Sequence, residues 1–201
     1  MPENTHALIV IDMQNDFCPG GALAVTDGDV IVTQINQLMA EYGTVVLTQD
    51  WHPADHRSFA SNHTDHAPMS MVDMPYGPQI LWPDHCIQGS SGAGFHPDLD
   101  LEAAHMVLRK GFRPEIDSYS AFFENDRSTP TGLAGYLRER GVTHLSFVGL
   151  AYDFCVAWSA LDAVKLGFTT CVIEDACRAI NLDGSRAAAR ASLREAGVTL
   201  Q

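Results

Sequence analysis

The sequence predicts one three-layer α/β/α domain on a central, mostly parallel sheet of about six strands. Three observations predict it. Apolar runs rich in β-branched residues recur without polar alternation, helical patterns fall between them, and glycines stand where those helices should stop. Continuous apolar runs of strand length indicate strands covered on both faces, as parallel sheets require.

The first run, at 7–11, ends at Asp12. Residues 29–41 then place Val30, Ile31, Ile35, Leu38 and Met39 at helical spacing, and Gly43 stops the pattern. A second run at 44–48 leads to Asp50, and a third at 105–108 leads to Lys110. Between them, residues 51–97 read as a loop-rich insertion with no strand or long helix. This stretch holds six of the nine histidines (His52, His56, His63, His66, His85 and His96) among many Pro, Gly, Ser and Asp residues. A loop segment of that length inside a compact domain is usually functional. Helical patterns at 133–139, 156–166 and 185–196 end at Gly141, Gly167 and Gly197, and alternate with runs at 144–150, 169–173 and 198–200. No repeat or linker divides the chain, so residues 1–201 read as a single domain.

Composition narrows the function. With 46% hydrophobic and 18% charged residues in 201, the chain can build a sizeable core and is not a disordered sequence. Twelve Lys and Arg against 25 Asp and Glu give a net charge of -13, which repels phosphate backbones and argues against a nucleic-acid partner. No apolar run approaches the roughly 18–20 residues of a membrane span. Glu3 precedes a short run that Asp12 cuts off, unlike a signal peptide. The expectation is a cytoplasmic protein with no membrane partner. The five cysteines (Cys18, Cys86, Cys155, Cys171 and Cys177) are odd in number, widely spaced and without a CxxC pair. That pattern argues against a disulfide framework, a redox dithiol and a four-cysteine zinc site.

Asp12, Asp50 and Lys110 stand at strand ends, and Cys155 follows the run 144–150 in the segment GLAYDFCVA. In a parallel sheet these ends face one way, so residues distant in sequence can meet in one pocket. Each alone reads as a helix cap or loop residue; together they suggest chemistry. Cys155, where a strand hands over to a helix, is expected to have its thiolate favoured by backbone N–H groups and the helix dipole. The same N–H groups can receive an oxyanion. A carboxylate such as Asp12 can take the thiol proton, and an ammonium such as Lys110 can hold the negative charge. The plain alternative is a buried core cysteine. A second cluster, DWHPADH followed by WPDHC, gathers Asp50, His52, His56 and His85. One carboxylate with two or three imidazoles suits Zn²⁺, Fe²⁺ or Mn²⁺. Surface loop histidines are the alternative there, and His63 and His66 read that way.

Six segments carry a resemblance over nearly the whole chain: VIDMQNDFCPGGALAV, QDWHPADHRSFAS, WPDHCIQGSSGAGFHP, RKGFRPEIDSYSAFF, GLAYDFCV and EDACRAIN. Together they resemble the nicotinamidase/pyrazinamidase family of isochorismatase-like cysteine hydrolases. The resemblance implies the isochorismatase-like fold and a metal-dependent amidohydrolase. Such an enzyme converts nicotinamide to nicotinate and ammonia, and pyrazinamide to pyrazinoate, through a cysteine thioester in NAD salvage. It implies a catalytic triad of Asp12, Lys110 and Cys155, and an oxyanion hole from the N–H groups of Ala151 and Cys155 after a cis peptide. One divalent ion, Zn²⁺ first with Fe²⁺ or Mn²⁺ as alternatives, is implied on Asp50, His52 and His85. His56 is a fourth ligand or a group behind the ligands. Phe17, Leu23, Trp82 and Tyr119 are implied as walls around a pyridine ring. The resemblance admits a monomer or a small homo-oligomer. Its rivals are a related cysteine amidohydrolase acting on another small amide, a non-catalytic metal-binding protein on the same fold, and a redox role for Cys155.

Overall fold

The structure is a computed structural model that describes residues 5–201. Residues 1–4, including the Glu3 that bears on the leader reading, lie outside the described residues. In chain order the elements are β1 (His6–Ile11), α1 (Val32–Met39), β2 (Thr44–Asp50), β3 (Met71–Met74), β4 (Gly77–Ile80) and β5 (Met106–Lys110). They continue with α2 (Leu133–Glu139), β6 (His144–Leu150), α3 (Ala157–Lys165), β7 (Thr169–Arg178), α4 (Ser185–Glu195) and β8 (Thr199–Leu200).

Six strands form one sheet in the order β5-β2-β1-β6-β7-β8, every neighbouring pair parallel. This is the predicted sheet. From β1 the chain moves outward to β2 and β5, then returns to the other side of β1 as β6. The strand order therefore reverses between β1 and β6, where open parallel sheets form a crevice beyond their carboxyl ends. Asp12 follows β1, and Ala151 follows β6. Asp50 and Lys110 end β2 and β5 as register partners.

The sequence pattern follows strand position. Ala7 to Ile11 of the central β1 and all of β2 are buried, hence their unbroken apolar character. The edge strand β5 alternates instead, with Val107 exposed and Leu108 and Lys110 buried. Helix α1 packs on β1, α3 on β7, and α4 on both α3 and β8. Among the described residues, no helix is long and apolar enough to cross a membrane, and all five cysteines are free thiols.

Several boundaries differ from expectation. The insertion contains a two-stranded antiparallel hairpin, β3–β4, where no strand was predicted. Its strands are short, carry Pro75 and Pro78 around the turn, and are half-buried or exposed but for Gln79, so no apolar pattern announces them. Helix α1 begins at Val32 rather than residue 29, because Asp27 to Ile31 are spent on turns. Strand β7 continues to Arg178, five residues beyond the apolar run, through the polar Glu174 and Asp175.

Gly149 has φ +112°, and a Cβ there would collide with the Ile11 carbonyl oxygen. Only glycine lets β6 lie this close to β1 immediately before Leu150–Ala151, whose peptide is cis. Gly149→Ala should destabilise the fold by about 2 kcal/mol or more. A lowered midpoint of urea unfolding is the expected result, and an unchanged midpoint would contradict this packing.

Candidate active site

The site is built around one ammonium. Lys110 is completely buried at the end of β5. Its Nζ lies 2.8 Å from Asp12 Oδ2 and 2.5 Å from Asp50 Oδ1, donates to the Ser118 carbonyl at 2.9 Å, and lies 3.5 Å from Cys155 Sγ. Asp12, with φ +48°, accepts the Thr48 hydroxyl on Oδ1 at 2.6 Å, and the Asp12 N–H donates back to Thr48 Oγ1 at 3.1 Å. Asp12 Oδ2 faces the Lys110 ammonium, which occupies at most one of its two lone pairs. The other stays available beside the thiol. Gln14 clamps β2 to the chain beyond β1: it accepts the Asp50 N–H at 2.7 Å and donates to the Asp50 carbonyl at 2.8 Å.

Cys155 sits in a π-helical turn, Tyr152–Val156, that links β6 to α3. The Ala151 carbonyl accepts N–H groups from both Phe154 and Val156. The expected depression of the thiol pKa is not found. Burial pushes the Cys155 thiol well above the usual range; Lys110 opposes this, while Asp12 and Asp50 reinforce it. Burial outweighs whatever the turn's N–H groups contribute. Burial also raises Asp12, with Asp50 adding to the rise and Lys110 opposing it. For Lys110, burial works against the charge, but Asp12 and Asp50 hold its pKa well above the usual range. The result is a charged ammonium beside a thiol and an easily protonated carboxylate.

Asp50 also faces a second cluster. Its Oδ2 lies 3.4 Å from His52 Nε2 and 3.7 Å from His85 Nε2. His52 Nδ1 is 2.8 Å from the Gly111 carbonyl, and His85 Nδ1 is 2.8 Å from the Pro83 carbonyl. A carbonyl only accepts, so each Nδ1 carries hydrogen and each ring turns its Nε2 toward Asp50. One donor atom from each of Asp50, His52 and His85 lies within 4.8 Å of the others. Lone pairs facing one another need a proton or a cation between them, and N,N,O donors suit a divalent transition ion. The residues present fit such an ion. The same field acts on protons: burial disfavours charge on His52, yet Asp50 raises its pKa overall.

His56 lies behind His52, with ring centroids 4.4 Å apart. Its Nδ1 is 2.7 Å from Ser58 Oγ, and its Nε2 is 3.3 Å from the Ile116 carbonyl. Burial, helped by neighbouring His52, lowers its pKa to about 4. Its donor atoms do come within reach of His52 and Asp117. Coordination would nonetheless cost one of those hydrogen bonds. His56 is therefore placed to support His52.

A narrow cavity of about 20 Å³ opens over Cys155. Phe17, Leu23, Trp82, Tyr119 and Ala151, all singled out in the sequence, line it together with Asp50 and His85. Phe154, Ile180 and Asp117 line it too and were not anticipated. Asp153, also missed, fixes that wall by accepting the N–H groups of Ile180 at 3.0 Å and Asn181 at 2.7 Å. Its place in the GLAYDFCV and EDACRAIN pairing was the available signal. Gln14 had the same signal in VIDMQNDFCPGGALAV, whereas Thr48 carried none because it sits within an apolar run. His63 and His66 stay outside this cluster, against each other at 6.0 Å. A larger open groove beside Tyr152 is lined by charged groups such as Arg190 and Glu174, which already pair with each other.

The chain is similar to known proteins in sequence and in fold. Residues 6–201 match the isochorismatase domain family. The nicotinamidase of Acinetobacter baylyi is 57% identical over 182 residues, covering 90% of this chain and 85% of that protein. The Acinetobacter baumanii nicotinamidase/pyrazinamidase structure superposes with TM-score 0.98 at 54% identity, covering 100% of this chain and 97% of that one. PnC1 from L. infantum, solved in complex with nicotinate, gives TM-score 0.87 at 40% identity, with 100% and 94% covered. The Pyrococcus horikoshii pyrazinamidase, solved in complex with zinc, gives 0.78 at 34%, with 98% of each chain covered. By sequence and by fold, the chain belongs to the isochorismatase domain family and, within it, to the nicotinamidase/pyrazinamidase family.

Proposed function

We propose that this chain, acting as one hydrolase domain in the cytoplasm, hydrolyses nicotinamide to nicotinate and ammonia in NAD salvage, and pyrazinamide to pyrazinoate. The observation that carries the reading is that Cys155 lines an aromatic-walled cavity, with Asp12 and Lys110 buried behind it and three convergent cation donors beside it.

In this reading a flat heteroaromatic amide lies between Phe17 and Trp82, with Leu23 and Tyr119 closing the sides. Asp50, His52 and His85 hold one divalent ion, Zn²⁺ in the simplest case. When bound, that ion supplies a Lewis-acidic contact for a ring nitrogen and offsets the charge of Asp50. The free lone pair of Asp12 takes the thiol proton as Cys155 sulfur attacks the amide carbon. Lys110 stabilises the resulting negative charge, and the oxyanion rests on the N–H groups of Ala151 and Cys155. Asp12 passes its proton to the departing nitrogen, the C–N bond breaks and ammonia leaves a thioester. Asp12, again a carboxylate, draws a proton from water as the water attacks the thioester. The C–S bond breaks, nicotinate leaves, and the proton returns to sulfur.

Two outcomes are expected. Ammonia release from nicotinamide should fall about 10⁴-fold or more in Cys155→Ala, with bound zinc and unfolding temperature unchanged. No release by zinc-loaded wild type would reject nicotinamide as substrate, and near-wild-type release by the variant would reject the nucleophile. Gly111 has φ +68°, and a Cβ there would collide with the His52 ring. Gly111→Ala should therefore weaken zinc binding about tenfold or more in competition with a chelator. Unchanged zinc affinity would remove His52 from the ligand set.

A further inference from the structure

The β3–β4 hairpin pairs with no other strand among the described residues, and an isolated two-stranded hairpin is marginal in water. Its apolar side chains dock it only in part: Ile80 packs half-buried against the core, Met71 is 63% exposed, and the other hairpin residues are exposed or half-buried with one exception. The exception is Gln79, which is 1% exposed. The single buried side chain of this hairpin is a carboxamide.

Its hydrogen-bonding capacity is fully used, and the partners are parts of the cavity wall. Gln79 Nε2 lies 2.8 Å from Asp117 Oδ2, 2.9 Å from the Tyr119 hydroxyl and 2.8 Å from the Ile80 carbonyl, two protons serving three acceptors. Gln79 Oε1 accepts from Asn125 Nδ2 at 3.1 Å and from the Tyr76 hydroxyl at 3.2 Å. Asn125 Oδ1 in turn accepts the Tyr119 N–H at 3.0 Å, and the Tyr119 hydroxyl accepts Trp82 Nε1 at 3.0 Å. With two donors on its oxygen, Tyr119 has the direction of its own O–H set. Asp117, Tyr119 and Trp82 all line the cavity over Cys155, whereas Gln79 does not. Only a side chain with donor and acceptor in one planar fork meets all these partners. A carboxylate would face Asp117 with no proton to give, and a thioether would leave both sides unpartnered.

We propose that Gln79 is a positioning residue for substrate recognition, fixing Asp117, Tyr119 and Trp82 around the ring of the bound amide from outside the reacting centre. The proposal rests on the nicotinamidase reading of the cavity and goes beyond it by giving the hairpin a part in specificity. Because Gln79 does not reach Cys155, Asp12 or Lys110, its loss should act on binding and leave the chemistry in place.

The test is steady-state ammonia release from nicotinamide by zinc-loaded wild type, Gln79→Met and Gln79→Glu, with alkylation of Cys155 by iodoacetamide measured alongside. Gln79→Met keeps the volume and removes both functions; Gln79→Glu keeps the acceptor for Asn125 and Tyr76 and removes the donor. Both should raise KM about tenfold or more, while kcat and the alkylation rate stay within about threefold. KM at the wild-type value in a folded variant overturns the proposal. So does a fall in kcat that merely tracks unfolded protein, or failure of both variants to fold, since either assigns Gln79 to stability alone. An inactive wild type would instead reject the proposed function, which keeps the two failures distinct.

Discussion

The buried ammonium of Lys110 is the constraint on which the rest of the site depends. It has no exposure to water, and it holds Asp12, Asp50, the Ser118 carbonyl and the Cys155 sulfur within reach of a single nitrogen. Burying such a group is expensive unless its partners are well placed, and removing one partner of a buried pair is worse than never forming it. Without Lys110, two buried carboxylates would face each other and a thiol. The ends of β1, β2 and β5 and the turn after β6 are thus held to a common geometry by one charge.

Asp50 extends that constraint into the histidine cluster. One of its oxygens meets Lys110 and the other faces His52 and His85, so one carboxylate couples the thiol's surroundings to the cation donors. The sheet order makes this economical in structure. Asp50 and Lys110 are register partners on adjacent parallel strands, while Asp12 and Cys155 flank the point where strand order reverses. Gln14, Thr48 and Asp153 then set the fine position of these parts through hydrogen bonds to backbone and carboxylate.

Much of this was legible in the sequence, and the reason is burial. Strands β1 and β2 are covered on both faces, so their runs are apolar throughout, and the first polar residues after them mark the crevice. The hairpin was illegible because its only buried side chain is polar, which defeats a reading based on apolar periodicity. Thr48 was illegible for the opposite reason: a catalytically placed hydroxyl lies within an apolar run. The Cys155 thiol shifts upward, against the pull of the turn's N–H groups; those groups are visible from sequence, whereas the depth of burial is set only by the fold. The family likeness supplied Phe17, Leu23, Trp82 and Tyr119, which by themselves read as ordinary core.

The most direct test of the account is ammonia release from nicotinamide by zinc-loaded Lys110→Met compared with wild type, with zinc content measured in both. The account predicts a loss of at least about 10³-fold, because the ammonium that stabilises the developing charge is gone. Turnover within about tenfold of wild type would contradict it and leave Lys110 a structural counterion.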